Sequence, residues 1–390
     1  MKKDVYKLTN PQKNILEMEQ VNSGNNSINH ILSILKLSGK LNTEILEKTI
    51  KIIIEKNDSF HINIEKINES YKQYFSKPNI FYIEKYFIEN DDISKIINLY
   101  QKLELGLKKL YAFGLVFTSN FTYVIYKAHH IISDGWGMTQ VGEQIKEIYS
   151  KLIKGEELAN YNKPSYINLI KREEKYLESS KYNLDMKFWD EYTKNLDIPH
   201  LFNNSDIFKK DANRIEYLIP KSISEKIDCF CSNNSISEYC FFLAIYAIYF
   251  KKIYNVNPMV FGTPFLNRLK KYNDFECTGL YVCNLPLNIS VTSCTDFLSL
   301  CKNINSSNLS LFRHSSFPYH KIENLYHKNT HNTDSLFEVG FSYQINESQN
   351  SLSNGDKGEY TWYFSKKQNN PLTIHLTILN HEKQLSYDYL

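Results

Sequence analysis

The 390-residue sequence has no CxxC pair, no block of basic residues and no apolar run long enough to cross a bilayer. Each absence removes a class of function. Without closely paired cysteines, a structural zinc site has no ligand framework, and no metal is expected. The seven cysteines are Cys229, Cys231, Cys240, Cys277, Cys283, Cys294 and Cys301, an odd and irregular set. They do not form a disulfide pattern, and buried thiols in a reducing cytosol are the expectation. Lys plus Arg number 46 against 43 Asp plus Glu, a net charge of +3 with the lysines scattered. That balance leaves no footprint for nucleic acid. The basic start Met1-Lys2-Lys3-Asp4-Val5 is followed by no apolar segment, so no signal peptide is expected. The longest apolar stretch, Tyr239 to Phe250, is too short for a membrane span and reads as a buried core helix. No membrane insertion is expected, and the chain reads as cytoplasmic.

What is present describes an ordinary globular chain, 42% hydrophobic and 23% charged, long enough for two domains. Leu41 to Asn57 has the pattern of an amphipathic helix with Leu46, Ile50, Ile53 and Ile54 on one face and Asn42 as its cap. Phe121 to Tyr126 mixes Thr and Val with aromatics, which predicts a strand. Met138, Val141, Ile145, Ile148 and Leu152 mark a second amphipathic helix ending near Gly155. The polar stretch Gly155 to Pro164 is the candidate boundary, dividing the chain into lobes 1–164 and 165–390. Ser235 to Tyr254 reads as a helix. Leu280 to Ile289, Leu336 to Tyr343, the alternating Leu372 to Ile378 and Gln384 to Tyr389 read as strands. The last of these stops at Leu390 without a cap, which suggests either an edge strand or a chain cut from something longer.

Between the predicted strand and helix lies His129-His130-Ile131-Ile132-Ser133-Asp134-Gly135. Acyl transfer to an amine requires that the amine lose a proton and that the carbonyl oxygen be stabilised as it gains charge. A histidine near neutral pKa can accept or organise that proton. An aspartate four residues later can tie the turn to the rest of the protein. A glycine after it lets backbone approach substrate and places an N–H at a helix start.

The HHxxxDG segment resembles the core motif of condensation domains of non-ribosomal peptide synthetases. Further segments resemble that family's motifs in the right order: Leu8 to Lys13, Glu55 to His61, Gly279 to Leu287 and Arg313 to Tyr319. The resemblance covers nearly the whole chain. It implies an α/β (α+β) fold of two chloramphenicol-acetyltransferase-like lobes in a V, with the active site where they meet. It implies His130 as the catalytic residue, with His129 and Asp134 beside it and His129 the more structural of the pair. Gly135 and Trp136 are the implied substrate-binding residues. Gly262 to Arg268 resembles the segment whose arginine pairs with the motif aspartate, so an Asp134–Arg268 salt bridge across the lobe interface is expected.

The implied reaction is amide-bond formation between a donor acyl thioester and an aminoacyl thioester on a peptidyl carrier protein. Cyclisation domains replace the His pair with Asp, and His129 and His130 argue against that branch. A start at Met1, with no carrier ahead of it, suits a starter domain that takes a fatty acyl group from acyl-coenzyme A or an acyl carrier protein. The segments Val256 to Arg268 and Tyr319 to Gln344 are most similar to lipopeptide starter domains. An elongation-type or free-standing condensation enzyme, or a related HxxxD O-acyltransferase, is the alternative. A recruitment domain of the same fold is disfavoured, because such domains usually have a degraded motif. No adenylation signature, Gly-Gly-x-Ser carrier site or glycine-rich phosphate loop is present. Partners, including a downstream adenylation domain, must therefore supply activated substrates on phosphopantetheine arms, no cofactor is bound, and a monomer is expected. His314, His320, His327 and His331 are irregularly spaced and read as turn histidines rather than zinc ligands.

Overall fold

The structure, a computed structural model, describes residues 4–21, 26–78, 82–158, 161–202, 211–292, 296–345, 351–356, 358–379 and 382–390. In chain order the elements are β1 (Val5–Lys7), α1 (Asn10–Val21), β2 (His30–Ser38), α2 (Thr43–Lys56), β3 (Ile62–Ile67), β4 (Ser70–Phe75), β5 (Glu84–Phe87), α3 (Ser94–Lys102), β6 (Tyr111–Phe117), β7 (Phe121–His129) and α4 (Gly135–Ile153). Then follow α5 (Ile167–Leu177), α6 (Ser180–Lys194), β8 (Asn213–Leu218), α7 (Lys221–Asn233), α8 (Glu238–Tyr254), β9 (Met259–Phe265), β10 (Cys283–Ile289), α9 (Phe297–Arg313), α10 (Tyr319–Thr330), β11 (Val339–Ile345), β12 (Glu359–Tyr363), β13 (Leu372–Leu379) and β14 (Glu382–Tyr389). Among the described residues no helix is long and apolar enough to cross a membrane.

The chain divides into two compact units. The first comprises Met1–Lys175, Arg268–Tyr281 and Ser348–Ser365; the second comprises Tyr176–Asn267, Val282–Glu347 and Lys366–Leu390. This differs from two contiguous lobes cut after Pro164. The cut falls at the end of α5, because Leu169 and Ile170 of that helix are buried in the first unit's core. Two later segments also return to the first unit.

The first unit is built on a five-stranded sheet in the order β12-β2-β7-β6-β5. Its central strands are apolar on both faces, and period-two alternation divides them. Leu35, Leu37, Leu115, Val124 and Tyr126 meet Leu46, Ile50 and Ile53 of α2 and Met138, Val141 and Ile145 of α4. Leu32, Ile34, Val116 and Ile125 face the other way, with Tyr100 of α3. Asn42 caps α2 by accepting from Ile45 N at 3.0 Å. A small sheet, β1-β4-β3, completes the unit.

The second unit carries a six-stranded mixed sheet, β10-β9-β11-β13-β14-β8. Cys240, Leu243, Ala247 and Phe250 of α8 join Phe261, Phe341 and Leu376 in its core. The stretch Tyr239 to Phe250 is the core helix expected, with Ile245 and Tyr249 on its exposed side. Strand β14 pairs with both β13 and β8, so it is not an edge. The six described cysteines are free; Cys229 is exposed and Cys283 half-buried rather than buried, and Cys294 lies outside the described residues.

Strand β12 pairs antiparallel with β2, setting Trp362 opposite Ser33 and Tyr360 opposite Leu35. Tyr360 donates to Met138 O at 2.7 Å, and its ring occupies the place where a Cβ on Gly142 would be. Gly142 is thus the notch that lets β12 lock onto α4. Gly142→Ala forces that ring aside and should cost about 1–3 kcal/mol, as overpacking does. The check is the midpoint of urea unfolding. Gly106→Ala, where a new Cβ meets nothing within 4 Å, should leave it unchanged.

Candidate active site

The motif lies where β7 ends. His129 is the last residue of the strand, His130–Ile132 form one turn of 3-10 helix, and α4 begins at Gly135. His129 is fully buried, and both ring nitrogens are occupied. Nδ1 accepts from Ile131 N at 3.1 Å, which caps the turn, and Nε2 lies 2.6 Å from Glu19 Oε1. An accepting Nδ1 leaves the proton on Nε2, so His129 donates to Glu19. Burial pushes Glu19 up, but hydrogen bonds from His129 and Asn29 outweigh it and hold the carboxyl below its usual range. Behind this pair stands His30, 5.7 Å from His129 between ring centroids. Burial, then the charge of Lys127, lowers His30 to about 4. Lys127 is itself spent on the last carbonyls of α3, at 2.6–3.0 Å. The buried polar residues of this region therefore hold structure together, and His130 is left.

The His130 side chain is only partly covered, yet its Nδ1 is buried and has no hydrogen-bond partner. Burial lowers its pKa from the usual 6.5; the Asp134 charge and the carbonyls of His130 and Ser133 oppose this but do not outweigh it. The ring is thus neutral at pH 7. With Nδ1 buried, Nε2 is the ring nitrogen left to meet a substrate.

Asp134 is buried and receives three donors. Gly137 N, at 2.8 Å from Oδ1, makes it the N-cap of α4. Arg268 Nη2 reaches the same oxygen at 2.8 Å, and Tyr281 N reaches Oδ2 at 2.9 Å. The Arg268 guanidinium also donates to the carbonyls of Asp274, Cys277 and Gly279 at 2.7 Å and lies 4.3 Å from the Tyr281 ring centroid. Both partners of this ion pair belong to the first unit. The expected bridge across two lobes is corrected to a link within one, because Arg268–Tyr281 is part of that unit.

Gly135 is exposed, and a Cβ there would meet only Trp362 Cη2, at 3.9 Å. Protein packing leaves room at this position. Trp136 is turned to the protein instead, donating from Nε1 to Phe275 O at 2.8 Å and packing edge-on against Phe275. Its indole N–H is therefore not available to a substrate. The glycine that packing does demand is Gly137, where a Cβ would overlap the Thr278 carbonyl. Ser133 Oγ donates to that same carbonyl at 3.0 Å.

The first motif segment also reaches the turn. Gln12 is fully buried and donates to Ile131 O at 3.2 Å, holding the 3-10 turn from α1. Asp58 accepts from Tyr166 N at 2.8 Å, and Tyr166 OH donates to Leu280 O at 2.8 Å. The segment Arg313 to Tyr319 lies in the second unit, where His314 Nδ1 is 2.5 Å from Asp185 Oδ1 and its ring stacks on Phe188. His327 Nε2 lies 3.3 Å from the Asp334 carbonyl, and His331 caps α10 in a left-handed conformation.

A family model, that of the condensation domain, matches residues 2–390. The chain belongs to the condensation domain family. Condensation domains of non-ribosomal peptide synthetases catalyse amide-bond formation, an acyl transfer. This condensation domain is 27% identical over its whole length to a plipastatin synthase of Bacillus subtilis, and 26% identical over 87% of its length to a surfactin synthase of the same organism. It spans 16% and 10% of those two proteins. Its fold matches a mutant starter condensation domain of rhizomide synthetase in complex with C8-CoA, with a TM-score of 0.84 at 15% identity, covering 99% of this chain and 89% of that one. The first condensation domain of the calcium-dependent antibiotic synthetase matches with a TM-score of 0.84 at 14% identity, over 99% and 91% of the two chains.

Asp134→Ala leaves a guanidinium buried without its counter-charge, so it should cost about 3–5 kcal/mol. Arg268→Met leaves the carboxylate with its two backbone donors. The double variant should be less unstable than the sum of the two, measured by urea unfolding. The lowered His130 pKa also sets a sign. The neutral ring persists as pH falls through 6.5, so kcat/KM should hold there and decline only at lower pH. A pH–rate profile checks this.

Proposed function

We propose that the chain is a starter-type condensation domain that joins an acyl group to an amino acid in lipopeptide synthesis. The donor is a fatty acyl thioester of coenzyme A or an acyl carrier protein. The acceptor is the amino group of an aminoacyl thioester on the phosphopantetheine arm of a peptidyl carrier protein, loaded by an adenylation domain. No bound cofactor is required in this reading, and the enzyme acts as a monomer.

The observation that carries the proposal is His130, a neutral imidazole set on a turn that His129, Gln12 and Asp134 all hold. The amine attacks the thioester carbonyl carbon, and its proton passes to or is oriented by Nε2 of His130. The C–N bond forms as the C–S bond breaks, and the proton leaves with the thiol. A base near neutrality is matched to that transfer. Backbone N–H groups at the start of α4 lie beside open space at Gly135, where charge on the carbonyl oxygen can be met. The likeness to plipastatin and surfactin synthases, and to a starter domain that binds C8-CoA, supports the acyl donor.

His130→Ala should lower condensation by about a hundredfold or more without changing the melting temperature. The assay is mass spectrometry of a loaded carrier protein after incubation with acyl-coenzyme A donors of graded length. An N-acyl aminoacyl carrier is the expected product. Transfer only from a peptidyl carrier would overturn the starter assignment, and unchanged turnover in His130→Ala would overturn its role.

A further inference from the structure

Trp362 is the side chain nearest the open position at Gly135, and its indole N–H is buried with no hydrogen-bond partner. It lies on β12, in the first unit with the whole motif. A buried donor without an acceptor costs about 1–3 kcal/mol, and native proteins rarely tolerate one without a reason. Most aromatic donors nearby are satisfied. Trp136 donates to Phe275 O, Tyr360 to Met138 O and Tyr166 to Leu280 O.

Trp362 is also held in place. Strand alternation puts it on the same side of β12 as Tyr360, two residues earlier, which is locked into the Gly142 notch. Pairing with Ser33 of β2 fixes its height along the sheet. The ring contributes partly buried surface to the core formed by α2, α4 and the sheet. Its six-membered edge lies nearest Gly135, with Cη2 3.9 Å from where a Cβ would stand. Rigid aromatic wall, open glycine and unused N–H together describe a place built for an acceptor atom that the protein does not provide.

We infer that Trp362 is a substrate-positioning residue whose indole N–H donates to the carbonyl oxygen of a thioester-bound acyl group lying against Gly135. This rests on the acyl-transfer reading above. Both substrates of that reaction carry such a carbonyl, so two sources share the chemistry.

The test uses Trp362→Phe, which keeps an aromatic wall and removes the N–H. Binding is measured by calorimetry for four probes: octanoyl-coenzyme A, its S-octyl thioether lacking the carbonyl, an aminoacyl-pantetheine and its aminoalkyl thioether. If the N–H meets the donor carbonyl, Trp362→Phe weakens octanoyl-coenzyme A about tenfold and leaves the S-octyl analogue unchanged. The same split on the pantetheine pair places the bond on the acceptor. A uniform loss across all probes, or none, overturns the inference, because a merely structural role does not distinguish thioester from thioether. If wild-type protein binds no coenzyme A ester, the starter reading fails. The comparison is then made with octanoyl and S-octyl forms of a carrier protein, which decide the role of Trp362 independently.

Discussion

The Asp134 carboxylate sits where water does not reach, and three separate stretches of chain are fastened to it. It caps the first turn of α4, it takes the Arg268 guanidinium, and it accepts from the backbone of Tyr281. Burying an ion pair is not in itself a source of stability, since desolvation offsets most of the attraction. What such a pair supplies is direction. A charge surrounded by low-polarity protein has one arrangement in which all its donors are met and none that is nearly as good. The 3-10 turn bearing His130 sits between β7 and this anchor, so its geometry is fixed at both ends.

The sequence was most readable where structure is local. The strand–turn–helix setting of the motif, the amphipathic faces of α2 and α4, and the Asn42 cap all follow from period and capping chemistry within a few residues. The family, too, was visible in short ordered segments. The physical basis of that order lies in Gln12, Asp58 and the Gly279–Tyr281 backbone. Gln12 and the Gly279–Tyr281 backbone come from distant places along the chain yet hold the turn and its Asp134–Arg268 anchor, and Asp58 joins them through Tyr166.

What was not readable depended on distant contacts. Nothing near Trp136 in sequence shows that its N–H is consumed by Phe275, nor does anything near Trp362 show that its own is not. Glu19 looks like any helix-surface acid until β7 is laid beside α1. Gly135 stood out because it belongs to the motif, whereas the glycine that packing requires is Gly137, against a carbonyl from residue 278. The apolar run of α8 marked a core helix but not its exposed side at Ile245 and Tyr249. Composition reports how greasy a helix is, but only the packed fold reports which of its faces is covered.

The return of β12 to the first unit has a consequence in time. Ribosomal synthesis proceeds at about 5–20 residues per second, so on the order of ten seconds separates the emergence of α4 from that of β12. Through that interval the notch at Gly142 is open and the β2 edge lacks its neighbour, and for about the first half of it Asp134 waits for Arg268 as well. The first unit therefore cannot close in the order in which it is made. The turn bearing His130 acquires a final shape only when a late segment is threaded back onto an early one, a non-local step of the kind that slows folding.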